Sequence, residues 1–216
     1  ELNEASFFGI GQPRQVSPPP SSAYYSPEYE KAYTTYDVNE ANRLLDEMGL
    51  SKKNREGIRL RPDGTPLELS VETTAMNSRT LELIAGYWTA VGVKTRIKEL
   101  ARQLFYQRKA ALMHDVGVWG GADEQIPTLD PRWFMPFSAE SIHGIGYARW
   151  YRTSGEKGEA PTGDLRRVID LYRKIEETPG DDEQMRLFSE IIELNRKNLW
   201  VIGTIGGVPG GILVKD

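Results

Sequence analysis

From Leu67 to Trp119 the apolar residues switch repeatedly between two periods, and that alternation restricts the fold more than any other feature. Leu67, Leu69 and Val71 recur at a period of two, the spacing of a half-buried strand. Leu81, Ile84, Ala85 and Trp88 then recur at helical spacing, with Asn77 or Ser78 as candidate cap and Gly92 as stop. Val93, Thr95 and Ile97 return to alternation, interleaved with Lys94, Arg96 and Lys98. A further helix is predicted over Ala101–Ala111, and a strand over Asp115–Trp119 follows at once. Strand–helix–strand–helix–strand is the order of an α/β layer with helices packed on a sheet.

The flanks are less regular. Residues 9–27 carry Gly9, Gly11 and five prolines, among them Pro18, Pro19 and Pro20. Such a segment pairs poorly in a sheet interior and cannot run as a helix. Tyr24, Tyr25, Tyr29, Tyr33 and Tyr36 follow, too many rings for a free linker, so a long loop lying against the body is expected. Asp37 is a good N-cap with Glu40 as its capping-box partner, ahead of an apolar stripe at Ala41, Leu44, Leu45 and Met48. Gly49 closes that helix and Leu50 folds back on it, and Arg61 to Gly64 form a turn.

Residues 138–163 show no sustained period and read as a surface excursion. Asp164 is the expected cap of a helix bearing Leu165, Val168, Ile169 and Tyr172. A further helix runs from Asp181 to Lys197, with Met185, Phe188, Ile191, Ile192 and Leu194 apolar and Asp181 and Asp182 complementing its dipole. Residues 199–207 and 211–215 read as strands.

Composition excludes several classes. The 216 residues are 39% hydrophobic and 27% charged, with 27 basic against 31 acidic side chains and a net charge of −4. Basic residues come in ones and twos, so no face is advertised for nucleic acid. No apolar stretch approaches the roughly 20 residues of a membrane-spanning helix. Cysteine is absent, which removes disulfides, thiolate metal sites and a cysteine nucleophile. His114 and His143 are the only histidines, so no metal or other cofactor is expected. With Glu1 in place of an initiator Met, a piece of a longer protein is expected, and the lack of an export signal then carries no message.

Function concentrates in His114 to Pro136. An apolar run (Val116, Val118, Trp119) breaks into Gly120 and Gly121; Asp123, Glu124 and Asp130 follow, then Trp133 and Phe134. A strand ending in glycines lets a ligand approach the backbone, and carboxylates and rings beyond it supply polar and flat contacts. The same residues also fit a plain turn with a solvated acidic loop. Trp119, Gly120, Gly121, Asp123, Glu124 and Trp133 are the candidate binding residues. Trp119 fits a cavity wall or a core position, and Trp133 and Phe134 fit a ligand cover or pins for the loop. Arg102, Tyr106 and Arg108 reach either a cleft or the surface. Asp123, Glu124 and Asp130 lack the alternation of a calcium loop, and neither histidine sits beside a nucleophile elbow, so no catalytic residue is assigned.

Tyr36 to Leu50, YDVNEANRLLDEMGL, closely resembles a segment of the bacterial extracellular solute-binding proteins of family 5, the oligopeptide and dipeptide receptors of ABC importers. The turn at 61–64, the strand at 66–69, the run Trp88 to Lys94, the strand at 115–119 and Asp130-Pro131 follow in the family's order. The resemblance implies a periplasmic-binding-protein-like (type II) distal lobe, α/β with a mixed sheet and packed helices. Residues 1–35 would be an irregular lead packed on it, and residues 36–216 the C-terminal lobe of a two-lobed receptor whose N-terminal lobe lies outside this chain. It further implies a peptide or oligosaccharide held between the lobes, delivery to an ABC permease, no nucleic-acid partner and a periplasmic or extracellular location. A lipid anchor on the full protein stays open. In peptide receptors an aspartate shortly after this tryptophan pairs with the ligand's α-amino group; Asp123 is the matching position, though it stands four residues after Trp119, one more than in those receptors. A sugar or metal-chelate receptor, a hydrolase using the loop acids, and a signalling module are the alternatives.

Overall fold

The computed structural model describes residues 1–74, 78–121 and 123–207, residue 78 by its backbone alone. In chain order the elements are α1 (Leu2–Phe7), β1 (Gln12–Pro13), α2 (Pro27–Glu30), α3 (Val38–Glu47), β2 (Glu68–Thr73), α4 (Ser78–Ala90), β3 (Lys94–Glu99), α5 (Arg102–Ala110), β4 (Val116–Gly117), a 3-10 turn (Pro131–Trp133), α6 (Ile145–Arg152), α7 (Gly163–Glu177), α8 (Asp181–Asn198) and β5 (Ile205–Gly206). The chain divides into two compact units, residues 1–6 with 35–120 and residues 7–34 with 121–216. The lobe expected over 36–216 thus contributes to both. No described helix is long and apolar enough to cross a membrane.

The first unit is the α/β layer. Its sheet is wholly parallel in the order β3-β2-β4. Register explains the alternation: Glu68 stands opposite Lys94 and Glu72 opposite Lys98, so opposite charges lie directly across the strands, with Ser70 opposite Arg96 between them. Glu68 pairs with Lys94 and Arg96, and Glu72 with Lys98. The expected strand over 115–119 pairs only at Val116–Gly117, although Val118 N–H still reaches Glu72 O at 2.9 Å. Asp37 caps α3 as expected, its carboxylate accepting the Glu40 N–H at 2.9 Å. The cap expected at Asn77 lies outside the described residues.

Behind α3 the buried Arg59 uses every guanidinium N–H. Nε donates to Val91 O at 2.7 Å, Nη1 to Asp46 Oδ1 and Leu50 O, and Nη2 to Asn42 O and Oδ1. Gly92 is needed here, since a Cβ on it would stand 2.8 Å from Arg59 Cγ, and its φ is +94°.

The second unit is built on the antiparallel hairpin of α7 and α8. Val168, Ile169, Tyr172 and Ile175 on one helix and Leu187, Phe188, Ile191 and Ile192 on the other are buried. Phe188 meets Phe134 and Tyr24 edge to face at 5.9 and 5.5 Å. Asn195, fully buried, donates to Phe134 O at 2.8 Å and ties the segment after the 3-10 turn to α8.

Several expectations need correction. Asp164 does not cap α7: Thr162 is the N-cap residue, without a side-chain bond, while the Asp164 carboxylate takes Lys197 Nζ at 2.8 Å and Asn198 Nδ2 at 2.9 Å. The excursion at 138–163 contains α6, with Ile145, Gly146 and Ala148 buried; eight residues are too few to display a period. The lead is partly regular, since α1 opens it and β1 pairs antiparallel with β5. A two-residue edge ladder tolerates Pro13, which has no N–H to donate. Of the strand expected at 199–207 only Ile205–Gly206 pairs, and the strand expected at 211–215 lies outside the described residues. Of the five lead tyrosines, Tyr29 is buried, while Tyr33 and Tyr36 are exposed.

Candidate functional site

Because all three strands of the first unit run the same way, their carboxyl ends share one edge, and the crossovers from β2 and from β3 leave in opposite directions. Ligands of α/β sheets bind outside such ends. Among the segments that emerge there are Leu100–Ala101, leading into α5, and Val118–Gly120, following β4.

These segments build an aromatic platform. Phe105 is buried and anchors it; the Trp119 ring stacks on Phe105 at 5.8 Å and meets Tyr106 edge-on at 5.6 Å. The Arg102 guanidinium lies over the Trp119 ring at 5.4 Å and over Tyr106 at 5.8 Å. Trp119 is half-buried: its ring packs on Phe105 while the residue keeps some solvent access. Gly120 beside it is exposed.

Beneath the platform lies a group that sequence reasoning missed. Glu72 is fully buried, and Arg108 grips its carboxylate through Nε at 2.8 and 3.0 Å and through Nη2. Arg108 also donates to Met113 O at 2.9 Å. This bidentate pair locks α5 to the central strand and thereby sets where Arg102 and Tyr106 stand. The signal was present in the alternation of β2, which puts Glu72 on the face that meets Lys98. His114 stacks on Phe105 at 6.1 Å, and burial pushes its imidazole below the ordinary value.

The remaining candidates belong to the second unit. Gly121 is exposed, with φ of +86°. Asp123 is exposed and has no hydrogen bond or ion pair among the described residues; Glu124 is half-buried. Their loop is held from below: Ser22 Oγ donates to Gln125 O at 2.6 Å and Tyr172 Oη to Thr128 O at 3.1 Å. Asp130 is consumed locally, accepting Arg132 Nε at 2.8 Å at the head of the 3-10 turn. Trp133 is buried at 5% exposure beside the buried Phe134 and Met135. The structure therefore groups Trp119 and Gly120 with Arg102 and Tyr106 in one unit, and Gly121, Asp123, Glu124 and Trp133 in the other. No group of three or more His, Asp or Glu side chains suited to a metal ion occurs among the described residues.

The family model of the bacterial extracellular solute-binding proteins, family 5 middle region, matches residues 1–141. The chain belongs to this family. Among solved structures of similar fold, the oligopeptide-binding protein OppA is 36% identical over 94% of this chain and 35% of its own, with a TM-score of 0.83. MelB from Agrobacterium fabrum C58, solved with stachyose, is 15% identical over 90% of this chain and 29% of its own, at 0.68. NikA from Brucella suis, solved with Fe(III)-EDTA, is 17% identical over 94% and 39%, at 0.65. No curated protein sequence matches the chain. MelB and NikA share the α/β fold alone, whereas OppA is related in sequence as well. The family and these neighbours are binding proteins, and the chain spans about a third of OppA.

Proposed function

We propose that this family 5 chain is part of the substrate-binding component of an ABC importer, which captures a peptide and delivers it to a membrane permease. The observation that carries the reading is the 36% identity with an oligopeptide-binding protein across nearly the whole chain. In this reading residues 36–216 belong to the C-terminal lobe of a two-lobed receptor working in the periplasm or at the cell exterior. The ligand lies against that lobe, and the exposed Asp123 is the partner of the peptide's ammonium group. A desolvated carboxylate–ammonium pair with good hydrogen bonds supplies several-fold to hundred-fold discrimination. The chain has no chemistry of its own in this reading: Asp130 is tied to Arg132, and Asp123 and Glu124 do work only as ligand contacts.

The test is a thermal-shift measurement on the full-length protein against short peptides, oligosaccharides and nickel chelates. A ligand that binds the native state raises the melting temperature by mass action. A rise with peptides that disappears in Asp123→Ala supports both the receptor and its amine anchor. A rise only with sugars or only with chelates keeps the transport role and removes the peptide. Turnover of any of these ligands overturns the binding-protein reading.

A further inference from the structure

We propose that Arg102 is the receiving group for a ligand carboxylate, held ready for it by the rings of Trp119 and Tyr106. α5 carries two arginines with opposite fates. Arg108 is neutralised by the buried Glu72, whereas Arg102 is exposed, lies over two aromatic rings, and has no carboxylate or carbonyl partner among the described residues. Its position is also locally unfavourable: it is the first residue of α5, where the helix dipole disfavours a cation and no acidic residue stands in the first turn. A residue that breaks a local rule with no anion beside it is one to examine for function. The rings hold the guanidinium at the carboxyl edge of the parallel sheet, and its N–H groups have no partner among the described residues. An exposed guanidinium without an anion matches a carboxylate, which it can take two-pronged.

This inference rests on the peptide-receptor reading and deepens it, since a peptide brings carboxylates from two sources, its C-terminus and acidic side chains. The experiment is calorimetric titration of the full-length protein with three probes: tetra-alanine as free acid, tetra-alanine amide, and Ala-Glu-Ala-Ala amide. At least one of the two carboxylate-bearing probes binds about tenfold more tightly than tetra-alanine amide, and which one it is names the source. Arg102→Gln, checked for folding by circular dichroism, brings that ratio close to one, and Arg102→Lys restores part of it as a point charge without the fork. A ratio near one in the unaltered protein, or a ratio that survives in Arg102→Gln, overturns the proposal. Should no peptide bind at all, the peptide reading fails by itself, and acetate against acetamide, followed through the Trp119 indole N–H resonance, still decides Arg102. A saturable response to acetate alone, lost in Arg102→Gln, upholds its role; equal responses or none overturn it.

Discussion

Replacing Arg59 with methionine tests how the first unit is held together. The methionine keeps most of the apolar stem and removes all five donors. Asp46, about half exposed, regains water and loses little. The carbonyls of Val91 and Leu50 are the expensive losses, because both bonds are buried. An unsatisfied buried acceptor costs about 1–3 kcal/mol, so two give about 2–6 kcal/mol. Relief from desolvating a guanidinium that is only 1% exposed offsets part of this, leaving a loss of about 3 kcal/mol. Equilibrium urea unfolding followed by far-ultraviolet circular dichroism reads it as a lower midpoint at unchanged slope. Arg43→Ala is the control: its ion pairs with Glu40 and Glu47 are exposed along α3, and its midpoint should scarcely move. A loss below about 1 kcal/mol for Arg59→Met would refute the argument that these carbonyls depend on the guanidinium.

Two further perturbations probe the second unit. Gly203→Ala places a Cβ 2.4 Å from Arg14 O and 2.7 Å from Gln15 Cα, which backbone cannot yield to, so the β1–β5 ladder should open; faster amide exchange at Arg14 and Gly203, with a lower melting temperature, is the expected result. His143 stacks on Trp200 at 5.7 Å, and burial drives its imidazole down to about 4. The neutral form is therefore the folded form: its contribution is complete above the ordinary histidine value and is lost as pH falls through 6.5 toward 4, by up to about 3 kcal/mol. His143→Phe keeps a stacking ring and should flatten that acid limb; an unchanged pH profile would mean that His143 is protonated in place.

The legible part of this protein was the part encoded locally. The period-two runs at 67–71 and 93–97 became β2 and β3, the helical stripe at 41–48 became α3 with its Asp37 cap, and 181–197 became α8. Each depends on neighbours within a few residues, where spacing alone dictates which side chains share a face. Trp119 and Arg102 were visible as candidates, but not that the guanidinium lies over the ring, because 17 positions of chain separate them. Asp164 looked like a cap because the local chemistry suits it; a lysine and an asparagine from the far end of α8 claimed its carboxylate instead.

Sequence alone determined the α/β class, the order of elements over 67–119 and the family, since periodicity and motif order survive in one dimension. Tertiary structure decided which polar groups are interior and what they hold. Arg59 and Glu72 are interior charges: one gathers α3 and the α4–β3 turn and the other fastens α5 to β2. Tertiary structure also carried the proline-rich lead to the segment after α8, where Gln15 Oε1 accepts the N–H of Gly203 from 188 residues away. Buried polar groups must find partners wherever the chain can bring them, and pairings across such separations are set by packing geometry, which no local spacing records.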